Sequence, residues 1–348
     1  MTIKNSIPHS YIINSIKDKM NSITQNRAIE IIQNAKNKNI AVVGDVMIDR
    51  FFWGSVTRIS PEAPVPVIDI DSETIHLGGA ANVAANLTSL GLKAYLCGII
   101  GDDANADKFI ALAEEKNMDT SALYRDNNRP TTIKTRIMGN NQHIARVDRE
   151  VREDISEEGL EFIISNIKKI ENLDGIILED YNKGTITLKV IETITKYAIE
   201  NNIPVYVDPK FDNFFAYQGV TLFKPNRKEA SKALSMEFKS QTDIENAGRM
   251  LIEKLNAKNI LLTLGADGMM LFEQDGTISK VPTIAQNISD VSGAGDTAIA
   301  TLSASVAGGA TMREAAALAN LASGVVCEYP GIVSIEIDEL IKSISRMG

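Results

Sequence analysis

Apolar residues gather into short runs bounded by turn residues, at positions 40–45, 94–100, 175–178, 205–207, 221–224 and 260–264. These runs are shorter than a helix needs. Ile, Val and Leu fill consecutive positions in them, as in strands buried on both faces. Between them lie stretches of helical periodicity, at 26–37, 80–90, 106–116, 186–201, 242–255, 294–306 and 312–326. Strands alternating with helices predict an α/β fold, a doubly wound and mostly parallel sheet flanked by helices. Ligands of such sheets bind beyond the carboxyl ends of the strands. Residues just after each run are therefore the first candidates for chemistry.

Two regions depart from the alternation. Residues 51–75 and 131–149 carry β-type patterning, as in Pro66-Val67-Ile68-Asp69-Ile70 and Thr132-Ile133-Lys134-Thr135-Arg136, with no helix directly after either. They predict a small second β-sheet, and a sheet that small needs something to pack on. It is expected to be a lid over the site, a dimer contact, or both. Residues 1–26 read as an extra helix or a frayed tail. The predicted organisation is a helical extension over 1–39 followed by one domain over 40–348.

Composition narrows the picture. The chain has 348 residues, 44% of them hydrophobic, enough for a large core. Its net charge of −9 argues against nucleic acid as a partner, since such binders carry a basic face. Cys97 and Cys327 are the only cysteines and form no disulfide framework or zinc spacing. The polar start lacks a signal-peptide core, and no stretch approaches the ~18 apolar residues of a spanning helix. A cytoplasmic protein without a membrane partner is expected.

The richest segment is Asp290-Val291-Ser292-Gly293-Ala294-Gly295-Asp296-Thr297, leading into a helix of small residues. Gly293 and Gly295 let backbone come close to a ligand, and the free N–H groups of a helix start attract an anion. Asp296, just inside that start, is placed to accept a proton from an attacking hydroxyl while the N–H groups hold phosphoryl charge. An ordinary acidic first-turn residue fits the same spacing. In Gly78-Gly79-Ala80-Ala81-Asn82, paired glycines would admit a sugar and Asn82 would offer a donor and an acceptor to its hydroxyls; close helix–strand packing is the plainer reading. Asp45 and Asp49 follow the first strand, where a carboxylate can accept from hydroxyls. Asn226 and Glu229 lie three apart at a helix start. They suit either a cap or the waters of a nucleotide-bound Mg²⁺. Asp180, Lys183 and Lys210 stand at strand ends, and Arg136 and Arg146 on the lid; these cations either meet phosphate or are solvated.

Other chemistries lack their residues. There is no Walker P-loop, no Gly-x-Gly-x-x-Gly after the first strand, no Gly-x-Ser-x-Gly and no His-Glu-x-x-His, and His9, His76 and His143 are the only histidines.

The glycine spacing of 78–101 and the segment 290–297 resemble the two signatures of the ribokinase-like (PfkB) carbohydrate kinases. With Gly44-Asp45 and 226–229, the resemblance spans roughly 40–340. It implies ATP as phosphoryl donor with Mg²⁺, Asp296 as general base, and Gly293, Ala294 and Gly295 as anion hole. Adenine is implied near Gly265, Asp267, Gly268 and Asn320, and a monovalent cation such as K⁺ near the Asp290 loop. Within the family, Gly44-Asp45-Val46-Met47-Ile48-Asp49-Arg50, the proline-rich 58–67, Asp180-Tyr181-Asn182-Lys183-Gly184 and Asp208-Pro209-Lys210 resemble bacterial kinases of D-glycero-β-D-manno-heptose 7-phosphate. That implies a 1,7-bisphosphate product, for ADP-heptose and lipopolysaccharide core supply, and a homodimer through the lid. Other sugar or nucleoside kinases, or a non-catalytic sugar-binding protein, are the alternatives.

Overall fold

The computed structural model describes residues 23–140, 142–283 and 288–345. The expected terminal helix or tail falls mostly outside this range. Thirteen strands are present among the described residues: β1 (Asn39–Gly44), β2 (Val46–Ile59), β3 (Pro66–Gly79), β4 (Lys93–Gly101), β5 (Asp119–Asp126), β6 (Ile133–Gly139), β7 (Gln142–Arg149), β8 (Leu173–Glu179), β9 (Val205–Asp208), β10 (Leu222–Phe223), β11 (Asn259–Thr263), β12 (Met269–Glu273) and β13 (Ile278–Val281). Nine of them form one sheet in the order β13-β12-β11-β10-β9-β8-β1-β4-β5. It is parallel from β5 to β11 and antiparallel at β12 and β13.

Consecutive apolar positions in the central strands serve two cores. In β1, Ile40 and Val42 join the cluster under the Ala80–Ser89, Ala294–Ala307 and Met312–Val326 helices. Ala41 and Val43 join the cluster under the Leu188–Glu200 and Gln241–Leu255 helices. Side chains alternate across a strand, so both neighbours in sequence must be apolar here. The Gln25–Ala35 helix buries Ala28, Ile31 and Ile32 in the first cluster, so this part of the 1–39 segment packs into the main domain. Among the described residues, no helix is long and apolar enough to cross a membrane.

The other strands, β3-β2-β6-β7, make the expected second sheet. It grows from the site edge of the large sheet: only Asp45 separates the end of β1 from the start of β2, and β3 ends at Gly79, directly before the Ala80–Ser89 helix. No linker intervenes at either crossing. Strands β5, β12 and β13 and the Glu157–Ile167 and Ile337–Ser345 helices lie outside the sequence expectations, while the Arg227–Leu234 helix starts where Asn226 and Glu229 predict one. β5 is an edge strand of mixed polarity (Asp119-Thr120-Ser121-Ala122), without the apolar run that marks a central one.

At the carboxyl edge, Gly44, Glu179 and Asp208 sit side by side, paired in register across β1, β8 and β9. Gly44 is required for that approach: a Cβ there would lie 2.1 Å from the Glu179 carbonyl oxygen. Backbone cannot swing aside as a side-chain tip can. Gly44→Ala is expected to cost about 3 kcal/mol or more by overpacking, read from the shift in the chemical denaturation midpoint.

Candidate active site

The site is built around Asp296, in the first turn of the Ala294–Ala307 helix. Gly293 precedes it as N-cap with φ +79°, and a Cβ there would meet the Asn82 amide at 2.9 Å. The glycine thus provides both the left-handed turn and the clearance. One Asp296 oxygen accepts from Asn82 Nδ2 at 2.7 Å, the other from the Tyr181 hydroxyl at 3.1 Å. Burial pushes the Asp296 pKa up to about 6. The Asn82 bond opposes that rise, the nearby Asp208 charge adds to it, and Lys224 and the Tyr181 bond oppose it. The result is an ionised carboxylate at neutral pH that is far more basic than a surface aspartate. Tyr181 stays a neutral donor, because burial and the Asp296 charge hold its own pKa well above the usual phenol value. The first-turn N–H groups around Gly293, Ala294 and Gly295 lie outside the helix's own ladder and present a partial positive charge beside the carboxylate; that of Ala294 donates to the Val291 carbonyl at 3.3 Å.

Two further carboxylates adjoin it. Oxygens of Glu179, Asp208 and Asp296 all lie within 4.8 Å of one another, and all three residues are buried. Asp208 is paired with buried Lys224 at 2.7 Å. Neither Glu179 oxygen has a hydrogen-bond partner. Burial, then the charges of Asp208 and Asp296, raise the Glu179 pKa. Gly295 runs alongside this cluster: a Cβ there would stand in ordinary contact, 3.5 Å from Lys224 Nζ and 3.6 Å from Asp208. Glu179, Asp208 and Lys224 were not singled out as site residues in the sequence. They come from three strands and meet only through the sheet register; their one sequence signal is position at a strand end.

The remaining residues arrange themselves around this centre. The Asp45 carboxylate is engaged by the backbone N–H groups of Tyr181, Lys183 and Thr185, at 2.9–3.0 Å. Its observed work is to hold the loop after β8. Asp180 points into that loop's support, accepting from Tyr217 Oη at 2.7 Å and from the Asn182 N–H. Gly78 makes space for Asp49: a Cβ would fall 2.1 Å from its Oδ2. Asp49 is ion-paired with Arg136, so the lid brings these two together beside the main sheet. Gly79, at φ +61°, turns the chain into the helix carrying Asn82. Lys183 is paired with Glu150 at 2.6 Å and Lys210 with Glu229 at 3.2 Å; Lys210 also lies over the Tyr181 ring. Arg146 sits on the exposed outer strand β7, paired with Asp148.

Asn226 and Glu229 form a capping box on the Arg227–Leu234 helix. Glu229 accepts from the Asn226 N–H with one oxygen and from Lys210 with the other. Gly265, Asp267 and Gly268 form the turn after β11, where Gly268 (φ +84°) passes within 2.1 Å, measured from a built Cβ, of the Val281 carbonyl. Asp267 is exposed and paired with Arg227. Asn320 donates to the Pro282 carbonyl at 2.8 Å. These groups border one end of the sheet, β11 to β13, away from the lid strands.

Residues 37–338 match the model of the pfkB family carbohydrate kinases. The chain is 42% identical over 302 residues to a bifunctional protein HldE of Desulfatibacillum aliphaticivorans, covering 86% of this chain and 62% of that protein. It is 40% identical over 307 residues to a bifunctional protein HldE of Helicobacter pylori (strain G27), covering 87% and 65%. It thus spans slightly under two thirds of the length of these curated relatives. Among solved structures, phosphofructokinase-2 from Escherichia coli in complex with potassium superposes with a TM-score of 0.74 at 18% identity, over 90% of this chain and 99% of that one. Arabidopsis thaliana ribokinase with ribose and ATP gives 0.70 at 21% identity, over 89% and 99%. These structural likenesses establish the fold.

Tyr181→Phe removes a donor that favours the ionised form of Asp296. A hydrogen bond to a charged group contributes about 1.5–3 kcal/mol, so the Asp296 pKa should climb by roughly one unit or more above its present value near 6. Carboxyl carbon NMR titration of the variant against the parent chain reads this directly.

Proposed function

The chain belongs to the pfkB family of carbohydrate kinases, and we propose that it transfers the γ-phosphoryl group of ATP to the anomeric hydroxyl of D-glycero-β-D-manno-heptose 7-phosphate. The observation that carries the kinase reading is the buried Asp296, held by Asn82 and Tyr181 at the start of a helix. The heptose acceptor is supported by the HldE relatives at about 40% identity and by the Pro-rich lid segment and the 180–184 loop.

In this mechanism the acceptor hydroxyl lies against Asp296. Its oxygen attacks the γ-phosphorus, the bond from that phosphorus to the bridging oxygen breaks, and ADP leaves. The hydroxyl proton passes to the Asp296 carboxylate. Negative charge gathering on the transferring group is met by the N–H groups at Gly293, Ala294 and Gly295, of which that of Ala294 must first leave the Val291 carbonyl. Asn82 and Tyr181 fix the direction of the base and keep it ionised. Lys210 and Lys224 place positive charge on the same edge.

Magnesium accompanies ATP in this chemistry, and the donor set suits it. The cluster offers hard oxygen ligands, and Glu179 brings two oxygens without partners. Three carboxylates face one dedicated cation, Lys224, so a divalent ion would balance the local charge. Glu179 and Asp208 would hold it directly, with Asn226 and Glu229 reaching it through water. When bound it would screen the phosphate oxygens of the donor.

Adenine is assigned to the turn at Gly265, Asp267 and Gly268 facing Asn320. The Asp290 carboxylate, which accepts from the Ser292 and Gly331 N–H groups, marks the loop proposed for a potassium ion. The lid exposes Ile59, Ile70 and Val147, apolar surface that supports a lid-to-lid homodimer.

Asp296→Asn should lower turnover by about 10²–10⁴ while ATP binding by calorimetry is retained. In the parent chain, activity requires ionised Asp296. Turnover should therefore fall as pH drops through about 6, the limb following the raised pKa. The deciding assay is ADP release with heptose 7-phosphate against fructose 6-phosphate, ribose and adenosine. Preference for the heptose supports the full reading; activity only with another acceptor retains the kinase and discards the heptose.

A further inference from the structure

We propose that Lys134 receives the acceptor's own phosphate and thereby makes the site select a phosphorylated sugar over the free one. This rests on the reading above that the acceptor carries a phosphate remote from the reacting hydroxyl.

Five cations surround Tyr181 and the carboxylates. Four are committed: Arg136 to Asp49, Lys183 to Glu150, Lys210 to Glu229 and Lys224 to Asp208. Among the described residues, Lys134 forms no ion pair; its ammonium instead lies over the Tyr181 ring, 5.4 Å from the centroid. It stands on β6 two residues before Arg136, so the two share a face of the lid. Its cross-strand neighbours are Asp49 and Asp148, which are paired with Arg136 and Arg146. Burial lowers the Lys134 pKa, Asp49, Glu150 and Asp148 act to raise it, Lys183 adds to the lowering, and the net direction is down. The surrounding carboxylates therefore do not make up for the water this ammonium has lost.

A half-buried cation with no ion-pair partner among the described residues is costly unless a ligand completes it. The position identifies that ligand. Tyr181 touches Lys134 with its ring and Asp296 with its hydroxyl. The free cation and the base are thus separated by one aromatic ring, a span comparable to a sugar. A sugar phosphate with its reacting hydroxyl on Asp296 places its far end on the lid side, where Lys134 waits. Lys210 lies over the same Tyr181 ring, 4.7 Å from the centroid, but is committed to Glu229.

The test compares paired acceptors, heptose 7-phosphate with heptose and fructose 6-phosphate with fructose, for the parent chain, Lys134→Met and Lys134→Arg. Lys134→Met should cut kcat/KM for the phosphorylated heptose by about 10–100-fold, through KM. It should leave free heptose and the KM for ATP unchanged, so the preference for phosphate collapses. Lys134→Arg, which keeps the charge, should retain much of it. Equal losses on both members of a pair, a raised KM for ATP instead, or a parent chain that ignores the phosphate in both pairs would each overturn the proposal. If neither heptose is used but Lys134→Met abolishes a preference for fructose 6-phosphate over fructose, the lysine's role stands and the heptose reading falls.

Discussion

Asp45 joins three segments that otherwise have no reason to stay in register. Its carboxylate takes the N–H groups of Tyr181, Lys183 and Thr185, and its carbonyl takes the N–H of Ala80. Tyr181 and Asn82 are the two donors to Asp296. One arrives on the loop that Asp45 grips, the other two residues into the helix whose first amide Asp45 caps. The direction of the Asp296 carboxylate, the proposed base, is therefore set by a residue that does not touch it. A buried carboxylate with three backbone donors is also well satisfied, so this junction is a firm place on which to build.

The charges around it follow a common rule. Burying ions is expensive, and it is tolerated where partners are close or where a reaction needs the imbalance. Lys224 and Asp208 obey the first clause. Asp296 and Glu179 obey the second: one is left basic enough to take a proton, the other is left with two bare oxygens. The small-residue helix beginning at Ala294 lets Asp296 and Asn82 come together, because Gly293 adds no side chain where Asn82 comes closest.

The layout was largely legible in the residue pattern. Continuous apolar runs marked β1, β4, β8, β9 and β11, since a strand covered on both faces has no polar positions to spare. Two-fold alternation outside the helical rhythm marked the lid. Edge strand β5 and β13 were not legible because their composition is mixed, and β12, a short apolar run, because its antiparallel pairing is set by its neighbours in the sheet. The glycine pattern before Asp296 announced a helix start with a carboxylate, but not what would bond it. Asn82 was read as a sugar contact and Asp45 as a hydroxyl acceptor, whereas their visible partners are Asp296 and a loop. Side-chain direction at a strand end depends on which segment lies opposite, and spacing carries no information about that.

The passage between the two sheets has an implication for how such proteins diversify. The chain enters the lid through a single residue, Asp45, and leaves it at Gly79, one step before the helix of Asn82. An ordinary accessory domain hangs on linkers and can be exchanged as a cassette. This one cannot: its two seams are the groups that orient the base. On the proposed reading, new acceptor preferences would arise by substitution along the lid's inner face, at positions such as Asp49, Lys134 and Arg136, with the seams left untouched.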